Sequence, residues 1–144
     1  MKIENILKKG AKILNEYNIK NPYLDSEILL SETINKDRKY IILNSKEELN
    51  CCSLKIFNEL IERRKKNEPI AYLINKKEFW KHNFYVDSNV LIPRPDTEHL
   101  IDQTFKLFSN RLKLNILDIG TGSGCILLSI LKERTKFMGT GIDI

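Results

Sequence analysis

Apolar residues recur at steps of three and four over residues 1–66, which is the spacing of one face of a helix. The first stripe comprises Ile3, Ile6, Leu7, Gly10, Ala11, Ile13, Leu14 and Tyr17. Asn21 and Pro22 are typical of a helix cap and a first helical position. The stripe after them comprises Leu24, Ile28, Leu29 and Ile34. A short helix over 37–43 and a longer one carrying Leu54, Ile56, Phe57, Leu60 and Ile61 complete a predicted helical bundle.

The pattern changes after residue 67. Residues 79–80 and 84–86 are aromatic and β-branched, so they predict two paired strands separated by residues 81–83. Residues 90–92 predict a further extended segment. Pro93 and Pro95 end that segment, because a proline disfavours helical backbone in the residue before it.

The last third of the chain alternates between helix and strand. A helix with Ile101, Phe105 and Phe108 on one side is followed by a predicted strand over 114–119. A glycine cluster, a helix over 125–131 and a strand over 137–144 come next. Strand, glycine turn, helix and strand in that order are typical of the opening of a parallel α/β sheet.

Composition and charge narrow the class of protein. The 144 residues are 42% hydrophobic and 30% charged, which is typical of a globular protein. The net charge of +5 permits an acidic partner but does not demand one, because the basic residues are scattered. The basic run 63–66 suits the end of a helix, and a solvated helix terminus is favoured there over a nucleic-acid patch.

Several other classes are disfavoured. No segment has the apolar length of a membrane span, and the first residues lack a signal-peptide pattern. Three cysteines, two of them adjacent, make a poor disulfide framework and favour a reducing cytoplasm. His82 and His99 show no metal-ligand spacing to the cysteines, so no metal site is expected.

The most informative segment is the glycine cluster at the end of a predicted strand. Gly120, Gly122 and Gly124 remove Cβ atoms where a ligand approaches the main chain, and the helix that follows offers free N–H groups. Asp143 lies 19 residues after Gly124, at the end of the next predicted strand. An acid there can accept hydrogen bonds from the hydroxyls of a ribose.

The spacing of the glycines and their neighbours indicates which nucleotide-containing ligand the turn could bind. The Lys and Ser or Thr of a P-loop are absent, and neither register of the glycines fits the G-x-G-x-x-G dinucleotide fingerprint. Asp118 would repel a pyrophosphate but can meet the amino group of a methionine moiety. These features favour S-adenosyl-L-methionine over NAD, with a turn that binds no ligand as the remaining alternative.

A second segment, residues 91–98, is a rigid extended entry to a helix. The prolines, Asp96 and Thr97 are explained by a capped helix start. Arg94, held between two prolines, could contact a carboxylate or a backbone carbonyl near the cofactor, and structural and functional roles are equally favoured.

These two segments carry a resemblance to a known family. Residues 92–98 (IPRPDTE) and 117–124 (LDIGTGSG) resemble the glutamine methyltransferases of bacterial peptide chain release factors. Residues 68–73 (EPIAYL), 78–80 (EFW) and 24–30 (LDSEILL) resemble the same family, so the resemblance spans the chain. Asn75 departs from the glycine usual in relatives, but Asn tolerates positive φ, so the turn is expected to survive.

The resemblance implies a fold of class α + α/β. A helical domain over 1–66 would dock the release factor, 67–95 would form a linker and β-hairpin, and 96–144 would begin a class I (Rossmann-like) methyltransferase sheet. The implied reaction is methylation of the glutamine side-chain amide in the release factor's Gly-Gly-Gln loop. The residues that would line S-adenosyl-L-methionine are Gly120, Thr121, Gly122, Ser123 and Gly124, with Asp143 on its ribose.

One motif of the family, Asn-Pro-Pro-Tyr, does not occur among the 144 residues. It orients the substrate amide in the family, so no catalytic residue is assigned here, and the chain is expected to be an inactive front part of an enzyme. Two alternatives stay open. One is an amino methyltransferase acting on nucleic acid, with nucleic acid bound indirectly or through a fused tRNA-methylating domain downstream. The other is a non-enzymatic helical binding module, with the remainder of the chain a decayed remnant.

Overall fold

The computed structural model describes all residues from 1 to 144, which divide into two compact units, Met1–Ile74 and Asn75–Ile144. The expected mixture of helices and small sheets is confirmed. None of the seven α-helices combines the length and the apolar character needed to cross a bilayer.

The first unit contains five helices. They are α1 (Ile3–Glu16), α2 (Pro22–Ile34), α3 (Arg38–Leu43), α4 (Cys51–Arg64) and α5 (Ile70–Leu73). Their shared core comprises Ile3, Ile6, Leu7, Leu14, Ile19, Leu29, Leu30, Ile41, Phe57, Ile61 and Leu73. Because α5 places Leu73 in this core, the compact unit continues past residue 66. The assignment of release-factor docking to residues 1–66 stays a prediction.

The helix starts differ in how they are capped. The side chains of Asp37 and Asn50 accept hydrogen bonds from backbone N–H groups in the first turns of α3 and α4. Pro22 is the first residue of α2, as predicted, but the Asn21 side chain makes no capping bond. Tyr17, predicted in the α1 stripe, lies beyond the helix and is exposed, with the Lys65 ammonium 5.1 Å from its ring centroid.

Helix α2 buries a polar run that apolar periodicity does not predict. Asp25, Ser26 and Glu27 are all buried. The Asp25 carboxylate pairs with Arg64 at 2.8 Å, and the Glu27 carboxylate pairs with Arg38 at 2.5 Å. The Ser26 hydroxyl donates to the Leu7 carbonyl of α1.

The predicted solvated basic run is exposed at Arg63 and Lys66 but not at Arg64. The Arg64 side chain is only 17% exposed and its partner Asp25 only 11%, so removal of either partner would leave a largely buried charge. Arg63 pairs with Glu68, and Lys65 pairs with Glu62 at 2.5 Å. Of these pairs, the one between Arg64 and Asp25 joins the end of α4 to α2.

The second unit combines a hairpin with a parallel pair of strands, one face of which packs against a helix. Its elements are β1 (Lys77–Phe79), β2 (His82–Phe84), a 3₁₀ helix (Pro95–Thr97), α6 (Glu98–Leu107), β3 (Asn115–Ile119), α7 (Cys125–Glu133) and β4 (Met138–Ile142). Strands β1 and β2 pair antiparallel. Strands β3 and β4 pair parallel, with Asn115 opposite Met138 and Ile119 opposite Ile142. The core between them comprises Phe79, Phe84, Ile101, Cys125, Ile130 and Phe137.

The predicted hairpin register was wrong. The chain reverses at Trp80 and Lys81, so His82 and Asn83 lie in β2 instead of in the turn. Trp80 adopts a φ of 57°, and its backbone N–H donates to the Glu98 carboxylate at 2.8 Å. A contact from a helix eighteen residues later decides where the chain turns, and local strand propensity cannot show it. Residues 90–92 form no strand.

Asn75, the departure from the family pattern, has a φ of 51°, which confirms that asparagine serves this turn. Its side-chain amide also donates to the Val86 carbonyl at 3.2 Å, a bond that glycine could not make.

Candidate functional site

The glycine turn connects the carboxyl end of β3 to the start of α7. Gly120, Gly122 and Gly124 have φ values of 77°, 53° and 73°, a region that residues with a Cβ atom rarely adopt. Gly124 is the residue immediately before α7, and the first intrahelical bond of that helix runs from the Leu128 N–H to its carbonyl. The N–H groups of the first turn of α7 therefore have no intrahelical acceptor.

An open cavity lies beside the turn. A Cβ atom built on Gly120 would meet nothing within 4 Å, so the main chain there faces free space. The adjoining cavity of about 270 Å³ is lined by Ile119, Gly120, Ile142, Asp143 and Ile144. The lining combines apolar side chains, main-chain atoms without a Cβ in front of them, and one carboxylate. Such a lining suits a ligand that has an apolar ring and a polar hydroxylated part.

Asp143 follows β4 directly and reaches back to the turn. Its carboxylate accepts hydrogen bonds from the backbone N–H of Gly122 at 2.5 Å and of Ile144 at 2.9 Å. These N–H groups, that of Gly122 foremost, hold the pKa of the Asp143 carboxyl below its ordinary value. The group is therefore ionised at neutral pH, and each of its oxygens retains capacity to accept a further hydrogen bond.

The turn is also bonded to the end of β4 through the backbone. The N–H groups of Gly120 and Thr121 both donate to the Ile142 carbonyl, at 2.8 and 3.1 Å. These two N–H groups are therefore occupied within the protein. A ligand would contact the exposed main-chain atoms of Gly120 and the Asp143 carboxylate.

Asp118 has an internal partner. The Thr121 hydroxyl donates to its carboxylate at 2.8 Å, and sequence analysis did not anticipate this bond. Gly139 and Gly141 in β4 could have indicated from the sequence that other side chains pack on this strand, because glycine inside a strand marks close approach of another group. A Cβ atom on Gly139 would lie 2.4 Å from a Leu127 methyl group, and one on Gly141 would lie 2.8 Å from the Thr121 hydroxyl. The expected contact of Asp118 with a ligand amino group stays a prediction.

Ser123 is half-buried on the other side of the turn. With Gly122 and Val90 it lines a second cavity of about 520 Å³. A Cβ atom on Gly122 would lie 3.6 Å from a Val90 methyl group, so the segment before Pro93 packs against the turn.

The proline-flanked segment makes contacts within the second unit. Pro93 is buried, and the Glu98 carboxylate holds the hairpin turn through Trp80. The Arg94 side chain is exposed and takes part in none of the ion pairs.

Cys125, the first residue of α7, is a buried free cysteine. Burial raises the pKa of the Cys125 thiol, so at neutral pH this cysteine is protonated and a poor nucleophile. No cluster of three or more histidine, cysteine or acidic side chains could hold a metal ion.

Comparisons with known proteins identify similar sequences. A family described as the PrmC N-terminal domain matches residues 5–74. The release factor glutamine methyltransferase of Buchnera aphidicola subsp. Baizongia pistaciae is 43% identical, over 99% of this chain and 51% of that protein. The same enzyme of Caulobacter vibrioides is 37% identical, over 90% of this chain and 45% of that protein.

A protein of Rickettsia bellii called a bifunctional methyltransferase is 38% identical, over 99% of this chain and 30% of that protein. The chain thus spans about half the length of the first two relatives and under a third of the bifunctional one.

Proposed function

The chain matches the N-terminal portion of the release factor glutamine methyltransferase family, and from this premise we propose that its residues serve the methylation of a glutamine side chain in peptide chain release factors. The helical unit would bind the release factor, and the second unit would begin a Rossmann-like domain that binds S-adenosyl-L-methionine. The place of action would be the cytoplasm.

One observation carries this proposal. Three glycines with positive φ and the ionised Asp143 meet at the carboxyl ends of two parallel strands, beside a cavity that a Cβ atom on Gly120 would enter. Ligands of parallel sheets bind at that edge. The residues present therefore fit a nucleoside with free ribose hydroxyls.

The proposed roles follow from this geometry. Asp143 would accept hydrogen bonds from both ribose hydroxyls, and Gly120 would let the ligand approach the main chain. Gly122 and Gly124 would maintain the conformation of the turn. Thr121 and Ser123 would complete the part of the turn that lines the cofactor. S-adenosyl-L-methionine, when bound, supplies an electrophilic methyl group on sulfur, and the residues of this chain bind and orient it.

A nucleic-acid substrate is less well supported. The basic residues that end α4 are engaged by Asp25, Glu62 and Glu68, so they do not form a free basic patch. The bifunctional relatives leave open a second activity carried by residues outside the matched region.

Asp143→Ala is expected to weaken binding of S-adenosyl-L-methionine to the full-length gene product about tenfold or more, because the ribose hydroxyls lose a charged acceptor. Isothermal titration calorimetry measures this affinity. Asp102→Ala, which removes an exposed acid of α6 outside the site, is the matched control and should bind as wild type. Equal affinity of the Asp143 variant and wild type would contradict the assigned role.

A polypeptide of these 144 residues alone is expected not to methylate a release factor, because the Asn-Pro-Pro-Tyr motif that orients the amide is absent from them. The measurement is transfer of a radiolabelled methyl group to purified release factor, with the full-length gene product of a curated relative as the positive control. Turnover at a rate comparable to that control would show that other residues orient the amide.

A further inference from the structure

Thr121 occupies a space that a glycine leaves open. Asp118 and Gly141 are opposite each other in the parallel pairing of β3 with β4. A Cβ atom on Gly141 would lie 2.8 Å from the Thr121 hydroxyl oxygen and 3.0 Å from its methyl carbon. The Thr121 side chain therefore packs against the bare main chain of β4, where any larger residue at position 141 would displace it.

Two hydrogen bonds hold Thr121 in this place. Its hydroxyl donates to the Asp118 carboxylate on β3 at 2.8 Å, and its backbone N–H donates to the Ile142 carbonyl on β4 at 3.1 Å. Thr121 thus bonds to both strands of the parallel pair, and its rotation about χ1 is fixed by the hydroxyl bond and by the contact with Gly141.

Gly122, the residue after Thr121, connects the fixed Thr121 to Asp143 through a hydrogen bond. The Asp143 side chain lies on the surface, and the only groups that hold its carboxylate are the N–H of Gly122 and the N–H of Ile144. The direction of the Gly122 N–H is set by the peptide plane that joins it to Thr121. A change in the Thr121 anchor would therefore disturb the Gly122 bond and leave the carboxylate held by the Ile144 N–H alone.

We propose that Thr121 is a positioning residue that orients the Asp143 carboxylate for a ligand with vicinal hydroxyls, through the Gly122 N–H. The inference rests on the proposed function. The hydroxyl of the half-buried Thr121 side chain is bonded within the protein, so that its contribution to the ligand is indirect and depends on Asp143.

The test is a double-mutant cycle on the full-length gene product, with S-adenosyl-L-homocysteine as the probe in isothermal titration calorimetry. Thr121→Val removes the hydroxyl but keeps the shape, and it is expected to weaken binding about tenfold. In an Asp143→Ala background the same substitution should change the affinity less than about twofold, because the group that it orients is gone.

Thr121→Ser is the matched control. It keeps the hydroxyl bond to Asp118 and should restore most of the affinity that the valine variant loses. If circular dichroism shows that the valine variant does not fold, Thr121→Ala takes its place in the same cycle. A loss of equal size with and without Asp143, or no loss at all, would overturn the inference. Failure of the wild-type protein to bind the probe would instead contradict the proposed function.

Discussion

Replacement of Gly122 by valine is expected to abolish binding of S-adenosyl-L-methionine. Gly122 has a φ of 53°, and a β-branched residue is a strong outlier in that region. A Cβ atom there would lie 3.6 Å from a Val90 methyl group, which is an ordinary van der Waals contact, so the expected effect comes from the backbone conformation. The turn would have to change conformation, and its N–H bond to Asp143 would be lost.

The expected loss of affinity exceeds about a hundredfold, since strain and the loss of the Asp143 contact add. Calorimetry measures it, and the helical far-ultraviolet signal of the first unit should be unchanged. Gly122→Asn is the control, because asparagine tolerates positive φ better than valine and should keep measurable binding. Near-native affinity of the valine variant would mean that the turn has only a structural role.

Replacement of Gly10 by valine is expected to unfold the helical unit or to destabilise it by about 3 kcal/mol or more. Gly10 is buried where α1 meets α2 and α4. A single Cβ atom would already lie 2.6 Å from the Ser26 hydroxyl oxygen and 2.8 Å from the Phe57 ring. Ser26 and Phe57 are themselves buried, so neither can move aside without disturbing the core.

Urea unfolding followed by circular dichroism measures this effect. The control Lys9→Val introduces valine one position before Gly10, on the exposed side of α1. It should change the free energy of unfolding by less than about 1 kcal/mol. If both variants unfold at the same urea concentration as wild type, the close approach of α1 to α2 is not a feature of the folded protein.

The segments that carry the family resemblance differ in what they do. The run 24–30 places Asp25 and Glu27 in ion pairs with Arg64 and Arg38, and the run 92–98 uses Glu98 to hold the hairpin turn. Both serve the fold of their own unit. The run 117–124 contributes Ile119 and Gly120 to the cavity that Asp143 also lines. A family motif thus indicates sequence similarity, while the contacts show which of its residues are engaged within the protein.

The sequence by itself determined the order and type of most elements. Apolar residues at helical spacing located α1, α2 and α4, because a helix that buries one face needs this spacing whatever it packs against. Alternating glycines after an apolar strand located the turn, because the positive φ values there are a local property of the backbone. The position of Asp143 at the end of the next strand followed from its distance in sequence from Gly124, which allows for one helix and one strand.

Only the tertiary structure decided the rest, because those features depend on residues distant in sequence. The Trp80 turn is held by Glu98, and the buried acids of α2 are neutralised by Arg38 and Arg64. The Thr121 anchor depends on Gly141, which strand pairing brings beneath it. A local pattern records what each segment favours by itself, whereas the cost of burying a charge or a bulky side chain depends on the partner that folding brings to it.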